Sequence, residues 1–299
     1  MLAMNGVAPQ QLSAMFASQS QSRLARDVRQ HYTRPDLGTI IEAALESAGK
    51  DLTRLTPADL APIDEFHIRG RAATLELARD ASIHSDLQVL DIGSGIGGTC
   101  RCLAHEFGCR VTGVDLSEEY CQVATMLSSR VGLAHLVEHR VGDATHLSLA
   151  DDSFDVVWTA HAAMNIPDKS RLYREMHRVL RPGGTLVLYD VFAGSGAPVH
   201  FPVPWARSAE TSFLVSQEEL GRLLRQAGFM IVQCADTTDA GREWVVAMAH
   251  EKRLKGSAAL GWHVLLWPDF PIMAYNQRRN LEEGRITLAK MLARKAASA

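Results

Sequence analysis

Apolar residues near the start of the chain recur at helical spacing and are interrupted by proline. Residues 23–68 are therefore predicted to form short helices, broken at Thr33–Pro35 and at Thr56–Pro57. One of these helices carries an apolar face from Ile40 to Ala48 and is expected to end at the glycine that follows. Residues 1–22 are rich in Gln, Ser, Ala and Met, and they predict a frayed helix or a partly disordered segment.

From residue 69 onward, short apolar runs alternate with helical faces. The runs that predict strands are 87–91, 110–115, 135–141, 154–159, 185–190 and 229–234. The segments that predict helices are 70–79, 98–107, 118–131, 169–180 and 217–227, the last with capping-box spacing between Ser216 and Glu219. Strands that alternate with helices indicate an α/β fold with a parallel sheet covered on both faces.

A last apolar run, Glu243–Ala249, follows the strand predicted at 229–234. Only about eight residues join the two runs, too few for a helical crossover, so the pair is predicted to be antiparallel. Residues 250–299 are predicted to return to helix and to end in a basic amphipathic segment. Because that segment also contains Glu282 and Glu283, we interpret it as a solvated helix face rather than a nucleic-acid patch.

The composition is that of a globular protein. Hydrophobic residues make up 46% of the 299 residues and charged residues 22%, which excludes a mainly disordered or collagen-like chain. The formal net charge of -3 argues against a nucleic-acid partner. No apolar run is long enough to span a membrane and the N-terminal residues lack a signal-peptide pattern, so we expect no membrane association and a cytoplasmic location.

Cysteine and histidine usage predicts neither a disulfide framework nor a metal site. The five cysteines include no C-x-x-C pair, so reduced and mostly buried thiols are expected. His135 and His139 lie four positions apart, but no H-E-x-x-H pattern accompanies them.

The strongest motif is the stretch Val89-Leu-Asp-Ile-Gly-Ser-Gly-Ile-Gly-Gly98, in which a strand leads through a glycine turn into a helix. Glycines permit positive φ and let a ligand approach the backbone. Exposed amides at the start of the helix favour an anionic or polar group. Nicotinamide enzymes use a similar turn, so the glycines alone leave two cofactor classes open.

Acidic residues near the ends of the first three strands narrow the choice. Asp91 precedes a turn spaced G-x-G-x-G rather than G-x-G-x-x-G. Asp115 closes the next strand 24 positions later, where it can accept hydrogen bonds from both ribose hydroxyls. Asp143 follows the third strand and can accept from an adenine amino group. A turn, Arg181-Pro-Gly-Gly184, precedes the fifth strand.

Taken together, the segments VLDIGSGIGG, GVDLS, GDATHL, DDSFDVVWTAHAAMNIPD and RVLRPGGTLVLYD resemble the class I S-adenosylmethionine-dependent methyltransferases over residues 69–249. Within that family, the chain is similar to the small-molecule branch that contains the sarcosine/dimethylglycine and ubiquinone/menaquinone-pathway methyltransferases. The resemblance implies methyl transfer from S-adenosylmethionine to an oxygen or nitrogen of a small-molecule acceptor, with S-adenosylhomocysteine as product.

The resemblance also implies a specific architecture. It predicts a doubly wound, mostly parallel seven-stranded sheet in the order 3-2-1-4-5-7-6, with the last strand antiparallel. The expected division is an N-terminal helical cap over residues 1–68, a methyltransferase domain over 69–249 with a lid-like insertion at 191–215, and a C-terminal helical extension over 250–299.

The family's cofactor residues map onto the glycine loop and the second strand. Asp91, Gly93 and Gly95 match the loop that holds the amino-acid part of the cofactor. Asp115 matches the acid that binds the ribose, and Leu116 is expected beside the adenine.

Further cofactor residues follow the third and fourth strands or precede the first. Asp143 and Ala144 match the pair at the adenine edge. His161 begins the loop after the fourth strand, which in the family commonly touches both cofactor and acceptor. Arg69, in FHIRGRAAT, is a candidate for the methionine carboxylate.

Three residues expected near the methyl acceptor each have two interpretations. His161 acts as a general base, or it only hydrogen-bonds the cofactor or a lid residue. Asn165 binds the acceptor or satisfies a turn. Tyr32 closes over the cofactor from the cap, or it is a core tyrosine.

The remaining candidates are equally open. Asp190 attracts a cationic amine or caps a strand-end turn. Trp205 belongs to an irregular Gly- and Pro-rich segment that is either a lid or a surface connection. His67 reaches the site or caps the following helix. Trp262 and Trp267 wall the pocket, form a homodimer contact, or are buried among the C-terminal helices.

Two other functional classes remain to be weighed against methyl transfer. One is a nicotinamide-dependent oxidoreductase on a Rossmann sheet, against which the G-x-G-x-G spacing and Asp143 argue. The other is a methyltransferase fold used only to bind the cofactor, against which the complete set of glycines and acids argues.

Overall fold

A seven-stranded sheet forms the centre of the part of the chain that this computed structural model describes, which is residues 23–255, 259–266 and 268–297. Its strands follow the order β3-β2-β1-β4-β5-β7-β6, as predicted. They are β1 (Gln88–Ile92), β2 (Arg110–Asp115), β3 (Val137–Val141), β4 (Phe154–Ala160), β5 (Leu180–Ala193), β6 (Phe229–Asp236) and β7 (Ile286–Lys295).

Helices cover both faces of the sheet and one of its ends. They are α1 (residues 23–32), α2 (Leu37–Ser47), α3 (Pro57–Asp64), α4 (Gly70–Asp80), α5 (Gly98–Phe107), α6 (Glu118–Arg130), α7 (Lys169–Val179), α8 (Gln217–Gln226), α9 (Thr238–Lys255), α10 (His263–Leu266) and α11 (Phe270–Glu282).

Strand direction places the carboxyl ends of six strands, β1 to β6, at one edge. β1 to β5 pair in parallel with their neighbours, whereas β7 runs antiparallel to both β5 and β6. In open parallel sheets the ligand site lies beyond the carboxyl ends, where the order reverses between β1 and β4. The loops after β1, β2 and β4 are therefore the ones that can meet around a ligand.

Helix starts follow local capping chemistry. The Ser117 hydroxyl accepts from the Tyr120 N–H at 3.2 Å, and the Asp168 carboxylate accepts from the Arg171 N–H at 2.9 Å. The Ser216 hydroxyl accepts from the Glu219 N–H at 3.1 Å. Each side chain satisfies a backbone donor that the first turn of its helix leaves unpaired, which is why these boundaries could be predicted.

The predicted short N-terminal helices are present as α1, α2 and α3. Apolar residues of α2 and α3 share a core with α6 and with the C-terminal helices α10 and α11. The cap is thus assembled from both ends of the described chain. Residues 1–22, for which a frayed helix or disorder was expected, lie outside the described residues.

The C-terminal part of the fold differs from the prediction. Glu243–Ala249, predicted as the last strand, lies inside α9, and the last strand is β7, in a segment predicted to be helical. Ala, Leu, Met and Lys in β7 favour helix intrinsically, but pairing on both sides and burial of most of the strand override that preference. The predicted boundary at residue 249 therefore falls within a helix.

The basic C-terminal segment is correspondingly not one solvated helix face. Lys290 points from β7 to α4, where its ammonium forms ion pairs with Glu76 and, at 2.7 Å, with Asp80. Lys295 donates to the carbonyl oxygen of Leu180 at 2.7 Å.

Among the described residues, no helix combines the length and the apolar composition that crossing a membrane requires.

We expect Leu288→Asp to destabilise the protein by about 3 kcal/mol or more, because it buries an unpaired carboxylate in β7. Leu288 is fully buried, whereas Met230, on the edge strand β6, is 63% exposed. Met230→Asp is the matched control and should change stability by less than about 0.5 kcal/mol. Urea unfolding measures both; equal effects would contradict the position of β7 inside the sheet.

Candidate functional site

The glycine loop between β1 and α5 presents bare backbone to a cavity. Gly93, Gly95 and Gly97 have φ of 76°, 55° and 83°, which disfavour any side chain. A Cβ at Gly93 would lie 2.3 Å from the Cβ of Ala162, so the loop after β4 packs directly on it. A Cβ at Gly95 would meet no protein atom within 4 Å, and Gly95 lines the cavity. A ligand can therefore approach the backbone at Gly95.

Asp115, at the end of β2, holds this loop. One carboxylate oxygen accepts from the Gly95 N–H at 2.9 Å, and the other accepts from the Ser117 N–H at 2.8 Å. Burial raises the pKa of Asp115, and the backbone hydrogen bonds oppose that shift. Asp115 and the adjacent Leu116 both line the cavity, as predicted for the ribose and adenine contacts.

Asp91 lies behind the glycine loop rather than on the cavity wall. Its side chain is 2% exposed and accepts a hydrogen bond from the Cys100 thiol at 3.3 Å. Burial raises the pKa of Asp91 to about 7. It can act on a ligand only through the loop that it supports.

Asp143 and Ala144 lie on the cavity wall after β3. The Asp143 carboxylate accepts from the Thr145 backbone N–H and hydroxyl, each at 2.8 Å, and its side chain is 54% exposed. This pair therefore forms an open rim of the cavity.

His161 begins the loop after β4 in a left-handed conformation, with φ of 49°. Its backbone N–H donates to the carbonyl oxygen of Tyr189 at 2.8 Å, and its side chain lines the cavity. Burial, reinforced by His67, lowers the pKa of His161 well below its ordinary 6.5. Its Nε2 is buried and has no hydrogen-bond partner among the described residues. The ring is thus neutral, with a polar atom left for a ligand.

A buried polar cluster before α4 reaches the same cavity. His67 lies on the cavity wall, its Nε2 3.0 Å from the Glu65 carboxylate and its Nδ1 3.2 Å from the Ile68 carbonyl oxygen. Hydrogen bonds from His67 and Thr74 lower the pKa of Glu65, although burial opposes that shift. The His67 and His161 rings are 5.7 Å apart. His67 thus reaches the site, but no sequence motif identified Glu65.

Asn165 joins three parts of the chain that surround the cavity. Its side-chain oxygen accepts from the Tyr32 hydroxyl of α1 at 2.9 Å. Its side-chain amide donates to the carbonyl oxygens of Trp205 and Thr211, both at 2.8 Å. Tyr32, Asn165 and Trp205 all line the cavity. The hydrogen-bonding capacity of the Asn165 amide is consumed within the protein, so it positions the wall.

The segment after β5 contributes Pro204 and Trp205 to the cavity wall. Trp205 is 2% exposed, and its indole N–H donates to the Ser212 hydroxyl at 3.0 Å. His31 of α1 lies 2.9 Å from the carbonyl oxygen of Pro204 through its Nε2. The segment is therefore held against α1.

Aromatic side chains form another part of the wall. Phe66 and Trp262 line the cavity, and their ring centroids are 5.2 Å apart. Trp244 and Phe270 pack against Trp262 from behind, with centroids at 5.5 Å and 6.4 Å. The pocket-wall interpretation of Trp262 agrees with this arrangement, while Trp267 lies outside the described residues.

Besides Asp91, two more predicted site residues do not reach the cavity wall. The Arg69 guanidinium lies 2.6 Å from the Glu76 carboxylate of α4, which also pairs with Lys290. Asp190 is 3% exposed and accepts from the N–H groups of Ala163 and Val191 at 3.1 Å and 2.8 Å. Asp190 therefore caps a turn behind the loop after β4, one of its two predicted interpretations.

The cavity carries polar atoms suited to a polar ligand. Ser94 and Tyr120 also line it, and their hydroxyls, like His161 Nε2, are buried without a hydrogen-bond partner among the described residues. The sequence analysis did not identify Ser94 or Tyr120, because isolated hydroxyls outside a motif have no distinguishing spacing. No group of three or more potential metal ligands occurs within 23–255, 259–266 and 268–297.

Comparison with known proteins identifies the class of this fold and site. Residues 90–188 match the family described as "Methyltransferase domain". Methyltransferase GfsG of Streptomyces halstedii is 36% identical over 133 residues, which are 44% of this chain and 48% of that protein. Sarcosine/dimethylglycine N-methyltransferase of Halorhodospira halochloris is 28% identical over 224 residues, or 75% of this chain and 79% of that protein. The match with GfsG thus spans about half of that relative's length.

The fold has solved counterparts. Haemonchus contortus phosphoethanolamine N-methyltransferase 2, in complex with S-adenosyl-L-methionine, matches with a TM-score of 0.68 at 20% identity, over 85% of this chain and 56% of that chain. The fold is accordingly that of the class I methyltransferases, and residues 90–188 match a methyltransferase domain. The predicted resemblance and sheet order are confirmed.

We expect Asp91→Asn to gain stability relative to the wild type as the pH rises from about 4 to 7. Because the pKa of Asp91 is raised from 3.8 to about 7, the folded wild type binds more protons than the unfolded chain in this window. Its stability therefore falls with rising pH, and the uncharged amide removes that loss.

Urea unfolding at several pH values measures this difference. Asp86→Asn, at an exposed position, is the control and should differ from the wild type by a constant amount. A difference for Asp91→Asn that does not change with pH would contradict the burial of a carboxylate there.

Proposed function

We propose that the protein transfers a methyl group from S-adenosylmethionine to an oxygen or nitrogen of a small molecule. The observation that carries the proposal is the glycine loop, bare at Gly95 and held by Asp115, inside the segment that matches a methyltransferase domain. The relatives named above are methyltransferases, which supports the same reaction.

The residues present fit this cofactor. Gly93 and Gly95 leave the backbone accessible for its amino-acid part. The Asp115 carboxylate accepts hydrogen bonds, as a ribose diol requires, and Leu116 offers an apolar contact for adenine. Asp143 and Ala144 form a rim to which the adenine edge can bind.

Arg69 is not needed for this assignment, because its guanidinium pairs with Glu76 and does not line the cavity. Asp91 lies behind the glycine loop, where it accepts a hydrogen bond from the Cys100 thiol of α5.

When bound, S-adenosylmethionine supplies an activated methyl group on a sulfonium and leaves as the neutral thioether S-adenosylhomocysteine. The chain's own task is to align the acceptor with that methyl carbon and to exclude water. The lid segment and α1, joined through Asn165, close the cavity for this purpose.

His161 is the residue we assign to proton transfer. An acceptor hydroxyl that forms a bond to the methyl carbon must lose its proton, and His161 Nε2 is a buried, unpartnered atom that can take it. The lowered pKa keeps the ring neutral and so able to accept. The alternative, that His161 only hydrogen-bonds the cofactor, predicts a different response to substitution.

Two competing functions are disfavoured. A nicotinamide-dependent oxidoreductase would not account for the methyltransferase match of residues 90–188. A binding module without catalysis would not require a neutral histidine with an unpartnered nitrogen at the cavity. We further propose a cytoplasmic protein with a small-molecule acceptor and no nucleic-acid partner, and a cap formed by residues 1–68. We also expect a homodimer, and a measurement of the oligomeric state in solution tests this expectation.

Calorimetric titration with S-adenosylhomocysteine tests the proposed function. We expect wild-type protein to bind it and Asp115→Ala to bind at least about tenfold more weakly, because a charge-assisted hydrogen bond to the ribose is lost. Asp239→Ala removes an exposed carboxylate from α9 and should leave the affinity unchanged. Binding of NADH instead, or equal affinity in Asp115→Ala, would refute the proposal.

Substitution of His161 tests its role as a base. We expect His161→Gln to lower turnover by about 100-fold or more while changing cofactor affinity less than threefold, since glutamine can hydrogen-bond but cannot take the proton. Wild-type turnover should fall only as the pH drops through the lowered pKa and should be flat above 6.5. If the His161→Gln variant turned over at the wild-type rate across this pH range, His161 would be a positioning residue and not the base.

A further inference from the structure

The acceptor end of the cavity is built mostly from apolar side chains that lie outside the methyltransferase-domain segment. Leu24 and Val28 are one turn apart on α1 and face the cavity together. Phe66, Trp205 and Trp262 extend the apolar wall from three other parts of the chain. A ligand with an apolar body gains free energy by burial here, at about 25 cal/mol per Å² of apolar surface.

Most polar side chains on this wall already form hydrogen bonds within the protein. Tyr32 donates to Asn165, whose own amide is fully used by the carbonyl oxygens of the lid segment. His67 has partners at both ring nitrogens. The His161 imidazole lines the cavity and its Nε2 has no hydrogen-bond partner among the described residues, so this ring is the group that an acceptor's hydrogen-bonding group can satisfy.

The carboxylates at the cavity also have partners within the protein, and this affects which charge an acceptor can carry there. Asp64 is bound by the Arg101 guanidinium at 2.5 Å, and Asp168 accepts from the first turn of α7. Asp115 and Asp143 belong to the cofactor side. Asp190, which could have attracted an amine, lies behind the wall. Each of the four carboxylates that line the cavity thus has an ion pair or a hydrogen bond within the protein, so an ammonium group would have to compete for them at a substantial desolvation cost.

The aromatic side chains around Trp262 pack on one another. A cation binds over the face of a ring. The Phe66 and Trp262 rings meet edge to face, at an interplanar angle of 86°, and Trp244 and Phe270 also pack on Trp262. These rings form a continuous apolar wall. Arg29, also on the cavity wall, adds a positive charge that further disfavours a cationic ligand.

We propose that the methyl acceptor is a neutral hydroxyl compound with a large apolar body, an inference that rests on the proposed function. The acceptor oxygen forms a bond to the methyl carbon as the carbon–sulfur bond breaks, and the electron pair of that bond stays on sulfur. The hydroxyl proton goes to Nε2 of His161. The apolar body lies against α1, the lid segment and Trp262.

Binding of two matched probes to protein saturated with S-adenosylhomocysteine tests the acceptor class. Naphthol and naphthylmethylammonium share one ring system and differ in charge. We expect calorimetry to give at least tenfold tighter binding of naphthol. Methylnaphthalene, which lacks the hydroxyl, should bind more weakly than naphthol in the wild type and equally well in His161→Ala.

A charge placed on the cavity face of α1 should reverse the preference. Val28→Glu supplies a carboxylate on the cavity wall, and we expect it to lower the naphthol-to-ammonium affinity ratio at least tenfold. Gln30→Glu adds the same charge at an exposed position of the same helix and should leave the ratio unchanged. Both positions are at least partly exposed, so neither change places a charge in the core.

The outcomes separate this inference from the proposed function. Tighter binding of the ammonium probe, no binding of naphthol, or equal effects of Val28→Glu and Gln30→Glu would overturn the acceptor class while S-adenosylhomocysteine still binds. Failure of S-adenosylhomocysteine itself to bind would overturn the proposed function.

Discussion

The contact between the end of α3 and the first turn of α5 ties the cap to the glycine loop. A Cβ at Gly98 would lie 1.7 Å from the carbonyl oxygen of Asp64, so the two helices meet backbone to backbone. The Arg101 side chain is fully buried, pairs with Asp64, and donates to the Ser128 hydroxyl of α6 at 3.3 Å. Removing one partner of such a pair costs about 3–5 kcal/mol, because a buried charge is left uncompensated. The cap and the glycine loop are therefore held in a fixed relative position. A ligand bound at the loop is also enclosed by the cap.

Local signals predicted the elements between residues 69 and 236 closely, because each has its own periodicity, caps and glycine turns. α5 and β2 have the bounds that their patterns predicted. The C-terminal segment could not be predicted in the same way. β7 has a sequence with helical preference and becomes a strand only because β5 and β6 pair with both of its edges. A residue's partners across the sheet are long-range information, which a local window does not contain.

The same distinction applies to the site. Gly93, Gly95 and Asp115 were predictable because backbone geometry and strand spacing restrict them to one arrangement. Asn165 could be named but not assigned, since its role depends on α1 and the lid segment meeting over it. Arg69 illustrates a related point: a guanidinium has a long reach, and Glu76 two helix turns away, with Lys290 beyond it, holds it outside the cavity.

This difference between local and long-range information explains why the cofactor can be inferred from relatives and the acceptor cannot be inferred in the same way. The match to the methyltransferase-domain family ends at residues 90 and 188, and the cofactor loop and its carboxylates lie inside it. Leu24, Phe66, Trp205 and Trp262 all lie outside it. A relative that matches this segment can therefore differ in the side chains that we propose to meet the acceptor's body, although His161 lies inside the segment. The substrate class must accordingly be argued from the residues that line this chain's own cavity. Their apolar surface, their hydrogen-bonded carboxylates and the neutral His161 together disfavour a charged acceptor more strongly than any single residue favours a particular molecule.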